Sequence, residues 1–409
     1  YVTSDTIVES EAFERATSVY LVDRVVPMIP EKLSNQICSL RPDEEKLCYS
    51  IVFDLDNNGD ILDQWIGRTV IKSDRRFSYE EAQEIIEGGK GDFKDELLLL
   101  NDLAQKIRAR RFKNGAISFE RVEVKFNIDE KGKPLGVYFK EHKESNQLIE
   151  EFMLLANKRV AEYIGQVKKG QFAKTFVYRI HDKPDPEKLE KFAQFIQRFG
   201  YNINTTGQKN ITTSINDLLD EVQGKKEQNV IETLAVRSMA KAVYSTKNLG
   251  HYGLSFPYYT HFTSPIRRYP DMMVHRLLTE YMNGAKSKNK NKYEEMCKHT
   301  SEMERRAAEA ERASIKYKQV EFMKDHVGDE FEGIISGVTE WGFYVELNDS
   351  KCEGLVHIRE LDDDYYFFDE DNYAIIGKRN KKTYQLGDPV TIQILRADLE
   401  KKQLDYTLA

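Results

Sequence analysis

The densest reactive chemistry in the 409 residues lies between positions 259 and 276, Tyr259-Thr-His-Phe-Thr-Ser-Pro-Ile-Arg-Arg-Tyr-Pro-Asp-Met-Met-Val-His-Arg276. Two adjacent guanidiniums, Arg267 and Arg268, fall just ahead of a predicted helix, and Pro270 suits that helix's first turn. Arginine grips phosphate oxygens through a planar fork of N–H donors, and helix N-termini attract anions. His261, Thr263, Ser264 and Tyr269 add further donors. On residue types alone the stretch is either a phosphate-clamping loop or a surface arginine pair above buried histidines.

Metal chemistry has thinner support. Asp362-Asp-Asp364 is a bare acidic run. Asp54-Leu-Asp-Asn-Asn-Gly59 resembles the start of a calcium loop, but its twelfth position is Trp65 where a bidentate glutamate belongs, so it is read as a hairpin turn. The cysteines, Cys38, Cys48, Cys297 and Cys352, form no CxxC pair, which argues against a zinc ribbon and a disulfide framework and makes a reducing cytoplasm the default.

The elements that must position these residues follow from periodicity. Cys48–Leu55 and Ile61–Ile71 read as a hairpin across a type I′ turn at Asn58-Gly59, and a second hairpin is expected over 122–139. Helices are predicted over 147–164, 229–246, 271–282 and about 293–326, the last closed by Gly328. The stretches 202–228, 250–270 and 283–292 read as loops. Beyond Gly328 short strands take over (331–338, 342–347, 389–395), as in a five-stranded barrel of the OB type. The fold class is therefore α+β, with a division into residues 1–327 and 328–409.

Charge is unevenly spread. The net of −7 conceals 9 basic and 18 acidic residues from Gly328 onward, which leaves the first 327 residues slightly basic. That excludes a globally basic nucleic-acid binder but not a local basic cleft. No apolar run of 18 residues occurs, so no membrane partner is expected, and the opening Tyr1-Val-Thr-Ser-Asp5 has no signal-peptide pattern. A start at tyrosine, inside what reads as a structured segment, suggests a piece of something longer.

Thr263-Ser-Pro-Ile-Arg-Arg-Tyr-Pro-Asp271 followed by His275-Arg276 resembles the signature of the ribonuclease II/ribonuclease R family, hydrolytic exoribonucleases of the RNB fold. Residues 15–30, Leu33-Ser-Asn35, Cys38-Ser-Leu40, Gly115–Phe119 and Glu150–Asn157 match further segments in the family's order. Gly354-Leu-Val-His-Ile358 and Asp363-Asp-Tyr-Tyr366 look like its S1 domain. The resemblance runs from residue 1 to 409. It implies an RNB-type catalytic domain over 1–327, incomplete at its N-terminus, and an S1 RNA-binding domain over 328–409.

The same resemblance assigns roles. Arg267, with Arg268 as the alternative, would steady charge on the scissile phosphate. Tyr20 and Phe119 would pack on the last nucleotides, Tyr79 on a base farther up the strand, and Glu150 against a ribose hydroxyl. Tyr269, Trp341, Tyr344 and His357 complete the expected RNA contacts, and Lys378, Arg379, Lys381 and Lys382 form a basic cluster that could face RNA. The implied partner is single-stranded RNA, with the ribosome and RNA-decay factors as further candidates, and the implied place is the cytoplasm. The implied cofactor is magnesium, two ions held by an aspartate cluster spaced D-x5-D-x-D-D that lies, in the family, just before the segment matching Tyr1. This chain carries no such cluster, nor the family's cold-shock domains. The expectation is a 3′-to-5′ exoribonuclease releasing nucleoside 5′-monophosphates in the parent protein, and no hydrolysis by the 409 residues alone. Two alternatives stay open: a non-catalytic RNA-binding fragment or degenerate relative, and, on 328–409 alone, an S1-type binder associated with translation.

Overall fold

A computed structural model describes all residues except 118–122, 169, 171, 226 and 371. The N-terminal part opens with α1 (Ile7–Arg15), capped by Thr6, and the two-residue strands β1 (Val19–Tyr20) and β2 (Val25–Val26). A long hairpin follows, β3 (Glu45–Leu55) with β4 (Ile61–Lys72), in register from Glu45↔Lys72 to Leu55↔Ile61. Its tip is not a type I′ turn. Of Asn58 and Gly59 only the glycine has positive φ (+76°), and Asp56 organises a five-residue loop by accepting the N–H groups of Asn58 (2.9 Å) and Asp60 (2.8 Å). An aspartate that caps two backbone donors displaces the tighter turn.

Next come α2 (Tyr79–Ile86), α3 (Lys94–Lys113), the hairpin β5 (Glu123–Ile128) and β6 (Pro134–Lys140), and α4 (Glu144–Gly165). β7 (Tyr178–Ile180) leads into α5 (Pro186–Gln197) and α6 (Gln208–Val222). The helix α6 overturns the loop expected over 202–228. Ile215, Leu218 and Val222 are buried at helical spacing, a face that a polar average composition conceals. The helix expected over 229–246 is also shorter. α7 (Gln228–Ser238) stops at Met239, and β8 (Val243–Ser245) then pairs antiparallel with β7. α8 (Tyr269–Met282) and the 34-residue α9 (Lys290–Met323) complete this part; α9 starts inside the expected loop because Asn289 caps it, accepting from Lys292 N (3.1 Å).

The C-terminal part is a closed barrel in the order β10-β11-β16-β15-β9, from β9 (Glu330–Thr339), β10 (Gly342–Leu347), β11 (Glu353–His357), β15 (Pro389–Asp398) and β16 (Gln403–Leu408). Between β11 and β15 sits a separate three-stranded sheet, β12 (Tyr366–Asp369), β13 (Ala374–Gly377) and β14 (Thr383–Gln385), which the sequence reading did not foresee. Two apolar cores hold the molecule. One joins α4, α8, β7 and the β3–β4 hairpin. The other runs from α5–α7 into the barrel, with Tyr373 edge-on to Phe195 at 5.6 Å. Among the described residues no helix is long and apolar enough to cross a membrane.

Candidate functional site

The loop before α8 is pinned at several points of its backbone. Asn157 on α4, almost fully buried, accepts the Phe262 N–H (2.9 Å) and donates to the Tyr259 hydroxyl (3.3 Å). Nε2 of His275 lies 2.7 Å from the Phe262 carbonyl and so carries the ring proton as donor. Asp271 accepts the Ser264 N–H (2.7 Å), and the Ser264 carbonyl in turn accepts from the N–H groups of Arg267 (3.2 Å) and Arg268 (3.1 Å). The Arg267 carbonyl accepts from Ser18 N (3.0 Å) and Thr17 Oγ1 (3.2 Å). A loop with its amides and carbonyls thus occupied holds one shape.

That shape sends the two arginines in different directions. Arg268 donates to Asp271 (2.8 Å) in the interior; burial, the largest single influence, works against its charge, but Asp271 together with Tyr244 and Tyr259 raises its pKa on balance. The Arg267 guanidinium makes no hydrogen bond or ion pair among the described residues and lines an open cleft of about 850 Å³. Arg68 of β4 and Arg276 of α8 border the same cleft, Arg276 being engaged with Glu9 (2.9 Å) and the Val2 carbonyl (3.1 Å). Thr263 and Ser264 also border it, the Thr263 hydroxyl itself being buried, and Tyr49, Ile51 and Phe262 form apolar wall. Among the described residues no carboxylate lines the cleft. Unpaired guanidinium on a wall without anions is suited to phosphate.

Of the other expected donors, two stay out of the cleft. His261 Nδ1 faces the Tyr244 hydroxyl at 2.7 Å within a buried set of rings that includes His251, His181 and Tyr259. Burial first, then the neighbouring Arg268 and Arg179, hold the His261 pKa well below its ordinary value, and burial with His181 and Arg179 pushes His251 down to about 3. These are neutral structural rings. Tyr269, expected as an RNA contact, is corrected: it is 0% exposed, its hydroxyl donates to Glu9 and its ring packs edge-on against Phe13 at 5.2 Å. It occupies the first turn of α8, whose whole N-terminal stretch faces the core.

The expected stacking residues are surface-facing. Tyr20 on β1 is 47% exposed, its strand fixed on α9 by Tyr20 N donating to Glu311 (2.9 Å) and Val22 N to Ser314 Oγ (3.1 Å). Ser18, two residues before Tyr20, is the residue bonded to the Arg267 carbonyl, so the aromatic and the arginine belong to one backbone framework. Tyr79 is the first residue of α2, within the Ser78–Glu81 capping box, with Lys140 Nζ 5.7 Å from its ring centre. Phe119 lies outside the described residues. Glu150 is half-exposed on α4, 3.7 Å from Arg111 and 3.5 Å from His142. Its neighbour Glu151 is buried and takes both Nε and Nη2 of Arg111, a structural pair that helix-face reasoning did not single out.

On the barrel, Phe343, Val345 and Val356 fill the interior, which turns Tyr344 and His357 outward. Gly342 (φ +146°) lets β10 start against β11, since a Cβ there would lie 2.1 Å from the Val356 carbonyl oxygen. This close approach places Trp341, 62% exposed, beside His357, with Ile358 N donating to the Trp341 carbonyl (2.9 Å). In the basic cluster, Arg379 pairs with Asp364 (3.1 Å) and Lys382 with Asp363 (3.8 Å) while both side chains stay largely exposed.

A divalent metal fails the fit to these residues. Among the described residues no three His, Cys, Asp or Glu side chains converge. Asp56 and Asp364, from the two acidic motifs of the sequence, instead cap backbone N–H groups. Asn157, Asp271 and Arg68 are the site residues that motif reading missed; a polar residue on the apolar face of α4 and an aspartate just after Pro270 were the available signals.

A model of the RNB domain matches residues 1–284, and a model of the S1 RNA binding domain matches residues 324–408. Ribonuclease R 1 of Lactococcus lactis is 38% identical over 417 residues, an overlap covering 99% of this chain and 50% of that protein. Ribonuclease R of Aquifex aeolicus is 36% identical over 417 residues, covering 100% and 58%. The apo structure of Mycoplasma genitalium RNase R matches with a TM-score of 0.92 at 27% identity, over 100% of this chain and 65% of that one. The chain thus spans about half to three-fifths of the length of these curated relatives. With the RNB model spanning more than half of its residues and the S1 model most of the rest, the chain belongs to the RNB family and carries an S1 domain at its C-terminal end.

Proposed function

We propose that the protein is a 3′-to-5′ exoribonuclease that hydrolyses single-stranded RNA to nucleoside 5′-monophosphates in the cytoplasm. The observation that carries this reading is the unpaired Arg267 guanidinium on a cleft free of carboxylates, beside a partner, Arg268, committed to Asp271. The Mycoplasma genitalium relative has been solved with ribose-methylated single-stranded RNA, which supports RNA as the occupant. The division between catalytic and S1 parts is placed after Val327.

In the reaction, water adds to the phosphorus of the last phosphodiester. The bond from phosphorus to the 3′-oxygen breaks, that oxygen takes a proton, and the terminal nucleotide leaves with its 5′-phosphate. Arg267 donates to the non-bridging oxygens as charge builds on them, a fixed donor that needs no rearrangement. Tyr20 and Phe119 stack on the 3′-terminal bases and Tyr79 on one farther back, which holds any sequence because every base has a π face. Glu150 accepts from a ribose hydroxyl, a contact that deoxyribose lacks. Trp341, Tyr344 and His357 guide the strand across the barrel. The hydrolysis takes a divalent metal, magnesium on the family's pattern, for which this chain's described residues offer no ligand set.

For the 409 residues by themselves the reading is RNA holding without cutting, favoured by the same carboxylate-free cleft. The test follows a uniformly labelled single strand with magnesium, for the full-length gene product and for the 409 residues. Mononucleotide 5′-phosphates from the former, and binding without cleavage by the latter, are expected. A requirement for inorganic phosphate, or release of longer fragments, would overturn the exoribonuclease reading.

A further inference from the structure

We infer that Asp271 and Asn157 are positioning residues for Arg267, buried anchors of one loop whose effect on the reaction passes through that guanidinium; this rests on the proposed hydrolysis. Neither borders the cleft, although their chain neighbours Met272 and Ala156 do. Both are buried, Asp271 completely. Neither can touch RNA in the cleft, so any influence on turnover must travel through what they hold.

What they hold is the backbone that aims Arg267. Asn157 fixes the loop's entry through the Phe262 N–H. Asp271 fixes its middle through the Ser264 N–H, and the Ser264 carbonyl then receives the amides of both arginines. The same Asp271 oxygen holds Arg268 at 2.8 Å, which keeps the second guanidinium out of the cleft. One carboxylate oxygen therefore shapes the turn and separates the two arginines. Loss of its charge would leave the Arg268 cation inside without its anion, free to compete for the phosphate at the wrong angle. A displacement of about 1 Å at a reacting group can cost on the order of a hundredfold in rate.

The experiment is a pair of double-mutant cycles in the full-length gene product, Asp271→Asn with Arg267→Ala and Asn157→Ala with Arg267→Ala. Single-turnover cleavage and RNA affinity are measured for each, with rates normalised to the folded fraction from thermal melts. Each anchor variant alone should lower the cleavage rate about 10- to 100-fold with affinity within about twofold. In the Arg267→Ala background each should cost less than about threefold, because the group being aimed is gone. Asn157→Ala carries the test where Asp271→Asn folds poorly. Anchor and arginine effects that multiply would overturn the inference while leaving the arginine's role standing. Arg267→Ala at the wild-type rate would overturn the proposed function, and the inference with it.

Discussion

Replacing Tyr20 by alanine isolates the stacking that the exoribonuclease reading assigns to the 3′ end of RNA. The side chain is 47% exposed and belongs to neither apolar core, and its strand is held through the backbone, Tyr20 N to Glu311 and Val22 N to Ser314. Truncation should therefore leave folding stability within about 0.5 kcal/mol of the parent. A base stacked on an aromatic ring is worth about 1–3 kcal/mol. With about half of the residue already covered by protein, the lower part of that range applies, about 1–2 kcal/mol, or roughly 5- to 30-fold in affinity. The assay pairs fluorescence anisotropy on a short single strand with a gel that resolves the final undegraded product, using the full-length gene product. Weaker binding, a longer end product and near-wild-type binding by Tyr20→Phe are expected. Unchanged affinity and an unchanged end product for Tyr20→Ala would refute the placement of the RNA 3′ end beside β1.

Three further outcomes follow from the geometry. Glu151→Ala should cost about 3–5 kcal/mol of stability in urea unfolding, because Arg111 would stay buried with only the more distant, half-exposed Glu150 as its anion; a loss under 1 kcal/mol would contradict the pairing. Stability should fall as pH drops below about 6.5, where unfolded histidines take up protons while His251, held down to about 3, does not; each such histidine contributes a slope of about 1.4 kcal/mol per pH unit until its folded pKa is reached. His181, His261 and His275 are shifted in the same direction, so a flat urea midpoint between pH 7 and 5 would argue against neutral buried rings. Trp341→Ala should weaken RNA affinity several-fold without altering the end-product length, and an altered length would place the barrel's aromatic at the cutting end instead.

Local signals accounted for much of this architecture, and their failures have physical causes. Both hairpins, α4, α8, α9 and the barrel were legible because period-2 and period-3.6 burial patterns are strong there. α6 was hidden by its polar residues, among which Ile215, Leu218 and Val222 are buried with the polar Thr212 on the same helix. The sheet of β12–β14 escaped because its strands have three or four residues, too few for a pattern. At the site, the arginine loop was plain from its motif, but motif spacing could not separate Arg267 from Arg268. That choice depends on Asp271, whose carboxylate pairs with one guanidinium and leaves the other to the cleft. Tyr269 was misjudged for a similar reason: adjacency in sequence to the arginine pair says nothing of which way a first-turn side chain points, and this one points inward.

The most direct measurement is single-turnover cleavage of single-stranded RNA by Arg267→Ala in the full-length gene product, beside its RNA affinity and melting temperature. The loop is pinned through backbone groups and through Asn157, Asp271 and His275, none of which the substitution removes. The fold should therefore be intact and affinity within about threefold, while the cleavage rate falls about 10²- to 10³-fold, the cost of one transition-state donor. A cleavage rate within about threefold of wild type would contradict the assignment of that guanidinium to the scissile phosphate.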